Sequence, residues 1–472
     1  MFCDMVGSSG LSTRLDPEMQ REVVSAFQAY CAGEINRLGG MVAQYLGDGV
    51  LAYFGYPAAH EDDAERAVRT GLSILAGIGD LKAAPGVTLQ ARIGVATGVV
   101  VVGDLIREGV MQENAAIGET TNLAARLQSI AETDTVLICP VTHRLVGVLF
   151  EYRDLGVHTL KCFTSPVAVR QVMGASNAVN RFQARRADVA APLLGRDEEL
   201  ELLLRRWRDA SRGEGRVVLL TGEPGIGKSR LVHTLQDRLR SELYTQLNYF
   251  CSPYQTDTAL YPISAQLLRA AGIESNDSVG ARLDKLESLL APSSEDVARD
   301  IALFAAPLSI PGGERYPLPS LAPRQMKERA LSALIHQLKC LCSVQPVLMV
   351  FEDLHWIDPT SLEVLCRLVE EVPSLRLLLL ATGRPEFTPP WPNHRHTSTM
   401  ALTRLGRSEV ETLIAGVTQG KALPETVLEQ IASRTDGVPL FIEELTKTVL
   451  ESGLLRETGN RYWPAPRCDT RD

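Results

Sequence analysis

The sequence predicts an α/β protein of several domains: an α/β or α+β unit, then a doubly wound parallel sheet, then a helical lid. Three observations predict this. At 472 residues the chain exceeds what one hydrophobic core accommodates, since domains run to roughly 150 residues. From Met1 to about Val172, strand-like runs such as Gln90–Ala96 and Gly98–Val102 alternate with helical patterns such as Asp63–Ile78. From Leu193 onward, a strand at Val217–Thr221 enters a glycine-rich turn and a helix beginning at Lys228, and apolar strands follow at Val347–Phe351 and Leu375–Ala381.

The boundaries follow from composition. Met173–Ala191 is rich in small and polar residues and has no sustained period, so 173–192 reads as a linker between a first domain at 1–172 and a core at 193–395. Beyond Pro390, apolar residues recur at helical spacing in Ser408–Val417, Pro424–Arg434 and Phe441–Gly453, which predicts a lid over 396–455. Residues 456–472 carry no usable pattern.

Composition excludes several function classes. Hydrophobic residues make up 45% and charged residues 22%, the balance of folded globular domains. A formal net charge of −9, with no Lys/Arg block, argues against a nucleic-acid partner. Nine cysteines, none in a C-x-x-C pair, fit neither a disulfide framework nor a zinc site and suit a reducing cytosol. No apolar run approaches the roughly 20 residues of a bilayer span, and the start lacks a signal-peptide pattern, so the expectation is a cytoplasmic protein with no membrane partner.

The segment Gly222, Glu223, Pro224, Gly225, Ile226, Gly227, Lys228 and Ser229 matches G-x-x-x-x-G-K-[ST] between a strand and a helix, the context this motif requires. Its backbone N–H groups close around phosphates, Lys228 bridges the terminal phosphates, Ser229 holds one Mg²⁺, and Arg230 extends the binding segment. A carboxylate at the end of a neighbouring strand completes such a site. Glu352 is assigned to the metal and Asp353 to water.

In the first domain, Asp4 follows an apolar start, and Asp48 lies in a hairpin-like segment turned by Gly47 and Gly49. Two-metal phosphoryl chemistry needs such a pair, because bridging carboxylates hold the ions roughly 3.5–4 Å apart. Asn122 and Arg126, four apart, share a helix face that suits a sugar and a phosphate-like transition state. Taken singly, an Asp beside Gly is more often turn chemistry, and such a helix face is more often merely solvated.

Together, Phe2-Cys-Asp-Met-Val-Gly-Ser-Ser, Leu46-Gly-Asp-Gly, Arg92-Ile-Gly-Val-Ala-Thr-Gly and Asn122-Leu-Ala-Ala-Arg-Leu resemble the class III adenylate/guanylate cyclase catalytic domain over Met1–Val172. The resemblance implies a ferredoxin-like α+β fold and a homodimer with sites at its interface. It also implies two Mg²⁺ or Mn²⁺ per site on Asp4 and Asp48, with Asn122 and Arg126 supplied by the partner protomer. ATP would become cyclic AMP and pyrophosphate. Only three residues precede Asp4, fewer than the family's first strand carries, so the family pattern implies residues upstream of Met1. The base-reading positions depart as well: Gln44 stands where adenylyl cyclases carry Lys, and Ala115 where they carry Asp or Thr. An amide both donates and accepts, so Gln44 suits adenine or guanine.

Leu193–Leu455 resembles the STAND branch of AAA-like ATPases through Gly195-Arg196, the P-loop, Glu352-Asp353-Leu-His-Trp356, Thr382-Gly-Arg384-Pro and Gly437-Val-Pro439. In that family Arg196 would contact the base, Arg384 would sense the γ-phosphate, and Pro439 would report nucleotide state. Glu352 replaces the usual Asp. The whole reads as a cyclase governed by an attached ATPase, with a protein or small-molecule signal input unidentified. A degenerate cyclase domain on an ATP-driven switch, a guanylyl cyclase, and a transcription regulator without a helix-turn-helix are the alternatives.

Overall fold

Alternation along the strands decides which side chains meet which helices. The computed structural model describes the chain apart from residues 12–14, 61, 82–83, 85–86, 108–109, 162, 164, 177–192, 254, 275–276, 295, 318–320, 392–393, 453–454, 460 and 465–472. For 9, 11, 104–107, 110–117 and 464 it describes the backbone only. It divides into two units, Met1–Ala190 and Ala191–Asp472.

The first unit contains strands β1 (Phe2–Met5), β2 (Met41–Leu46), β3 (Gly49–Tyr53) and β4 (Ala91–Val95), a ribbon of β5 (Val101–Arg107) and β6 (Val110–Ile117), then β7 (Thr135–Ile138), β8 (Phe150–His158) and β9 (Val167–Ala175). Helices α1 (Ser8–Leu11), α2 (Pro17–Arg37), α3 (Asp63–Ile78), α4 (Glu119–Ile130) and α5 (Pro140–Val146) connect them. The main sheet runs β2-β3-β1-β4-β7-β9-β8, with only the β4–β7 pair parallel.

On one face Cys3, Met5, Ala91, Ile93, Val136 and Ile138 pack against Phe27 and Ile35 of α2 and Val68 and Ile74 of α3. The pleat sends the intervening residues, Asp4, Arg92 and Gly94 among them, to the opposite face. There Leu127 of α4 packs with Leu137 and Val169. A Cβ on Gly94 would lie 2.2 Å from the Ala124 carbonyl oxygen and 2.5 Å from the Gln128 nitrogen, so only glycine lets α4 sit directly on β4.

Two expectations for this unit shift. The strand expected at Gly98–Val102 begins at Val101. The linker expected from residue 173 starts later, because Gly174 and Ala175 pair with Glu151 and Phe150, and the Ser176 N–H donates to the Leu149 carbonyl at 2.9 Å. Its remaining residues, 177–192, lie outside the described ones.

The second unit holds α6 (Asp197–Ser211), β10 (Arg216–Thr221), α7 (Lys228–Arg238), β11 (Thr245–Phe250), α8 (Tyr261–Ala270), α9 (Val279–Leu290), α10 (Val297–Ala305), α11 (Pro323–Val344), β12 (Val347–Glu352), α12 (Pro359–Glu371), β13 (Leu377–Gly383) and β14 (Thr397–Ala401). Then come α13 (Arg407–Val417), α14 (Glu425–Thr435), α15 (Pro439–Glu451) and the hairpin of β15 (Leu455–Thr458) and β16 (Arg461–Pro464). Its sheet is wholly parallel in the order β11-β12-β13-β10-β14.

Val217, Leu219, Met349, Phe351 and Leu379 pack on one face with α11 and α12, whereas Val218, Leu220, Leu348, Val350 and Leu380 pack on the other with α6 and α7. Strands buried on both faces read as unbroken apolar runs, the pattern the sequence shows. The lid boundary moves: Thr397–Ala401, expected in the lid, pairs in parallel with β10 as the fifth strand, so the lid helices begin at Arg407. The tail is also less blank than expected, since Leu455–Thr458 pairs with Arg461–Pro464. Among the described residues no helix is long and apolar enough to cross a membrane.

Candidate functional site

In the first unit the two carboxylates lie near enough for the charge of one to act on the other. Asp4 lies in the interior strand β1, opposite Gly49 on one side and Arg92 on the other. Pairing along both edges fixes this four-residue strand despite its shortness. Asp48 occupies the two-residue turn after Gly47, which adopts φ 64°. A Cβ on Gly49 would lie 3.1 Å from Asp4 Oδ1, so the missing side chain makes room for the carboxylate.

Burial first, and the Asp48 charge second, raise the Asp4 carboxyl above its ordinary range. A hydrogen bond from Gln128 Nε2 to Asp4 Oδ2 at 3.1 Å, and the Arg92 charge, oppose that rise. Two carboxylates in mutual repulsion beside a glycine-sized recess form an oxygen donor set that suits Mg²⁺ or Mn²⁺.

Asn122 and Arg126 do not join Asp4. Asn122 is exposed and Arg126 half-buried, whereas Ala124, Leu127 and Gln128 are buried against the sheet. Gln44 is half-buried beside a bulge in β2, opposite Leu51. Ala115 lies on β6, with its side chain outside the described residues. The residue of α4 that reaches Asp4 is Gln128, which motif matching missed. Its position two after Arg126, about 200° around the helix, was the available signal.

In the second unit the phosphate loop joins β10 to α7, with Gly225 at φ 76° and Gly227 at φ 103°, backbone that side-chain-bearing residues rarely adopt. Lys228 is buried, and its Nζ donates to the carbonyls of Gly222 at 2.8 Å and Glu223 at 3.0 Å. Ser229 Oγ donates to Glu352 Oε2 at 2.6 Å, so the hydroxyl and the carboxylate expected to share a metal are in contact. The strand arrangement differs from the expected one. β12 is not next to β10, because β13 lies between them, and the Glu352–Ser229 contact spans that gap. The intervening β13 ends at Gly383, directly before Arg384, whose guanidinium lies 5.2 Å from the Trp356 ring centre and has its Nη2 buried without a hydrogen-bond partner among the described residues. Asp353 adopts a left-handed conformation at φ 62°, and its N–H donates to Thr382 Oγ1 at 3.0 Å.

The lid touches this loop directly. The Leu440 N–H donates to the Gly225 carbonyl at 3.2 Å, and a Cβ on Gly225 would come within 2.9 Å of Leu440 Cβ. Pro439 opens α15 at this contact. Arg230 pairs with Glu443 of the same helix at 2.7 Å. Arg196 is buried and bonds to Glu199 and the Thr403 carbonyl. Sequence reading missed Arg404, which binds Glu223 of the loop at 2.9 Å and also bonds Asp436 of the lid. An isolated Arg in a loop carries no motif.

The adenylate and guanylate cyclase catalytic domain family matches residues 1–171, and the AAA ATPase domain family matches residues 192–380. An uncharacterized protein of Rhizobium meliloti is 31% identical over 453 residues, 95% of this chain and 43% of that protein. An adenylate cyclase of Streptomyces coelicolor is 34% identical over 139 residues, 29% of this chain and 31% of that one. The crystal structure of the adenylyl cyclase CyaB from P. aeruginosa shares 29% identity and a TM-score of 0.36, covering 38% of this chain and 94% of that one. The chain spans less than half the length of these two curated relatives.

Proposed function

We propose that this chain, a class III nucleotide cyclase domain fused to an AAA-type ATPase domain, converts ATP to cyclic AMP and pyrophosphate at a homodimer interface. The nucleotide state of the second domain sets when it does so, placing the protein in intracellular signal transduction. The observation that carries the reading is the Asp4–Asp48 pair: Asp4 Oδ1 lies against Gly49, and the Asp48 charge acts on the Asp4 carboxyl. The name of the adenylate cyclase matched in Streptomyces coelicolor supports adenine as the base.

In the reaction the ribose 3′-oxygen bonds to the α-phosphorus, the bond from that phosphorus to the pyrophosphate oxygen breaks, and the 3′ proton leaves to water. Two divalent ions, when bound, supply charge neutralisation at the attacking and leaving oxygens. Asp4 and Asp48 would hold them, and Gln44 reads the base. Asn122 of the partner subunit orients the ribose, and Arg126 of the partner subunit stabilises charge on the α-phosphate. Exposure of Asn122, and of the large apolar side chains Tyr45, Leu46, Val99 and Val101, supports a second copy as that partner.

In the second domain Lys228, Ser229 and Glu352 bind ATP with one Mg²⁺, Asp353 orients water for hydrolysis, and Arg384 reads the γ-phosphate. The lid contact at Leu440 and Gly225 supports a lid that follows the nucleotide. The test is a mass-spectrometric assay of purified protein with ATP or GTP and Mn²⁺. Cyclic AMP from ATP is expected, and absence of any cyclic product would overturn the reading. Preferential cyclic GMP would reassign the base. Cyclase output from Lys228→Ala equal to wild type at every ATP concentration would remove the proposed control.

A further inference from the structure

Helix α4 has two working faces, and the inner one reaches the metal-binding carboxylate of its own chain. Gly94 lets the helix rest on β4 with no side chain between them. That seating carries the Gln128 amide, buried at 8% exposure, to 3.1 Å from Asp4 Oδ2. An amide N–H can only donate, so this bond favours the ionised carboxylate and fixes its rotamer. Asp4 Oδ1 is left beside Gly49, the residue that follows Asp48 in the chain. The bond therefore holds one oxygen and leaves the other for a cation.

We propose that Gln128 is a positioning residue for Asp4. It orients the carboxylate for divalent-metal binding, and it ties the helix bearing Asn122 and Arg126 to the metal pair of its own chain. The inference rests on the cyclase reading for the identity of the metal site. Hydrogen-bond partners of metal ligands commonly govern affinity as strongly as the choice of ligand does, because they set the ligand's angle and charge before the ion arrives.

The test uses the full chain and Mn²⁺ alone, with free Mn²⁺ counted by electron paramagnetic resonance. Glu352→Gln is the background, so that the P-loop metal site contributes little. Gln128→Met keeps the side-chain volume and removes the donor, so folding is preserved. Gln128→Ala, checked by its melting curve, is the second variant. Both are expected to weaken Mn²⁺ binding at the carboxylate pair roughly tenfold. In the otherwise native chain the Mn²⁺ concentration for half-maximal cyclisation should rise in parallel, with KM for ATP at saturating Mn²⁺ little changed. A folded Gln128→Met protein that binds Mn²⁺ as tightly as its background would overturn the role. Failure of the wild-type chain to cyclise any nucleotide would instead count against the cyclase reading, and the Mn²⁺ titration would still decide the role of Gln128.

Discussion

The two nucleotide sites of this chain differ in where their parts come from. At the P-loop, Lys228, Ser229 and Glu352 already touch one another or the loop within a single chain, and the lid residue Leu440 bonds to Gly225. At the carboxylate pair, Asp4 and Asp48 converge, but Asn122 and Arg126 lie on the side of α4 turned away from the sheet. The first site is assembled by one sheet and its loops. In the proposed cyclase the second takes its remaining parts from a partner's surface, which would make a catalytic rate depend on association.

The sharpest way to break that contrast is to divide each site between two variants. Asp48→Ala and Arg126→Ala should each lose cyclase activity by on the order of a thousandfold, since metal binding and transition-state charge each supply several kcal/mol. Mixed and allowed to exchange subunits, they should regain about a quarter of wild-type activity, because half of the dimers then carry one intact site. Lys228→Ala mixed with Glu352→Gln should recover no ATP hydrolysis. Absence of cyclase recovery in the mixture, with exchange verified, would place the whole cyclase site in one chain.

The next effect concerns the P-loop alone. Lys228→Ala should weaken ATP binding by the second domain roughly a hundredfold, because a charge-assisted contact to phosphate is lost. Calorimetry with a non-hydrolysable ATP analogue measures it, with Asp48→Ala present to remove competing binding at the first site. An unchanged affinity would show that Lys228 stays on the Gly222 and Glu223 carbonyls when nucleotide binds.

How far the sequence disclosed these sites follows the same division. The P-loop and the strands around it were legible because the motif is contiguous and a strand buried on both faces leaves an unbroken apolar run. Asp4 and Asp48 were legible as motif fragments only. What joins them, the pleat that turns Asp4 toward α4 and the recess at Gly49, depends on register across three strands and has no local signal. The partners of Gln128 and Arg404 were illegible for the same reason, since each acts on a residue more than a hundred positions away, and only the helix face of Gln128 could be read locally. β14 falls inside the lid expected from the helical spacing beyond Pro390, because Thr397–Ala401 lacks the apolar run of a buried strand, as an edge strand with one covered side can.

Gly94 marks a further difference. The helix over the carboxylate site is held at glycine distance from the sheet, so Gly94→Ala should destabilise the first domain by about 1–3 kcal/mol through forced displacement of α4. Chemical denaturation followed by a probe in that domain measures this, with the second domain's transition expected to stay in place. Loss of Mn²⁺ binding should accompany it if Gln128 is carried away from Asp4. Loss of stability without loss of Mn²⁺ affinity would separate the packing of α4 from its hold on the carboxylate.

The smallest expected effect tests the charge state of the two sites. In the second domain the buried Lys228 and Glu352 each have a partner of suitable polarity. In the first, the Asp4 carboxyl is pushed up from 3.8 by burial and by Asp48. A carboxyl whose folded value lies above its unfolded value costs stability once ionised. The cost is present at pH 7, and it disappears as pH falls through the folded value and the group takes up a proton. Asp4→Asn should therefore raise the melting temperature of the metal-free protein at pH 7, measured with a chelator present, and the gain should shrink toward pH 4. Saturating Mn²⁺ should reverse the order at neutral pH, because the ion stabilises only the chain that retains both carboxylates. A variant less stable than wild type in chelator at pH 7 would mean that the Gln128 bond and the Arg92 charge outweigh the repulsion. The pair would then be set for occupancy before any cation binds.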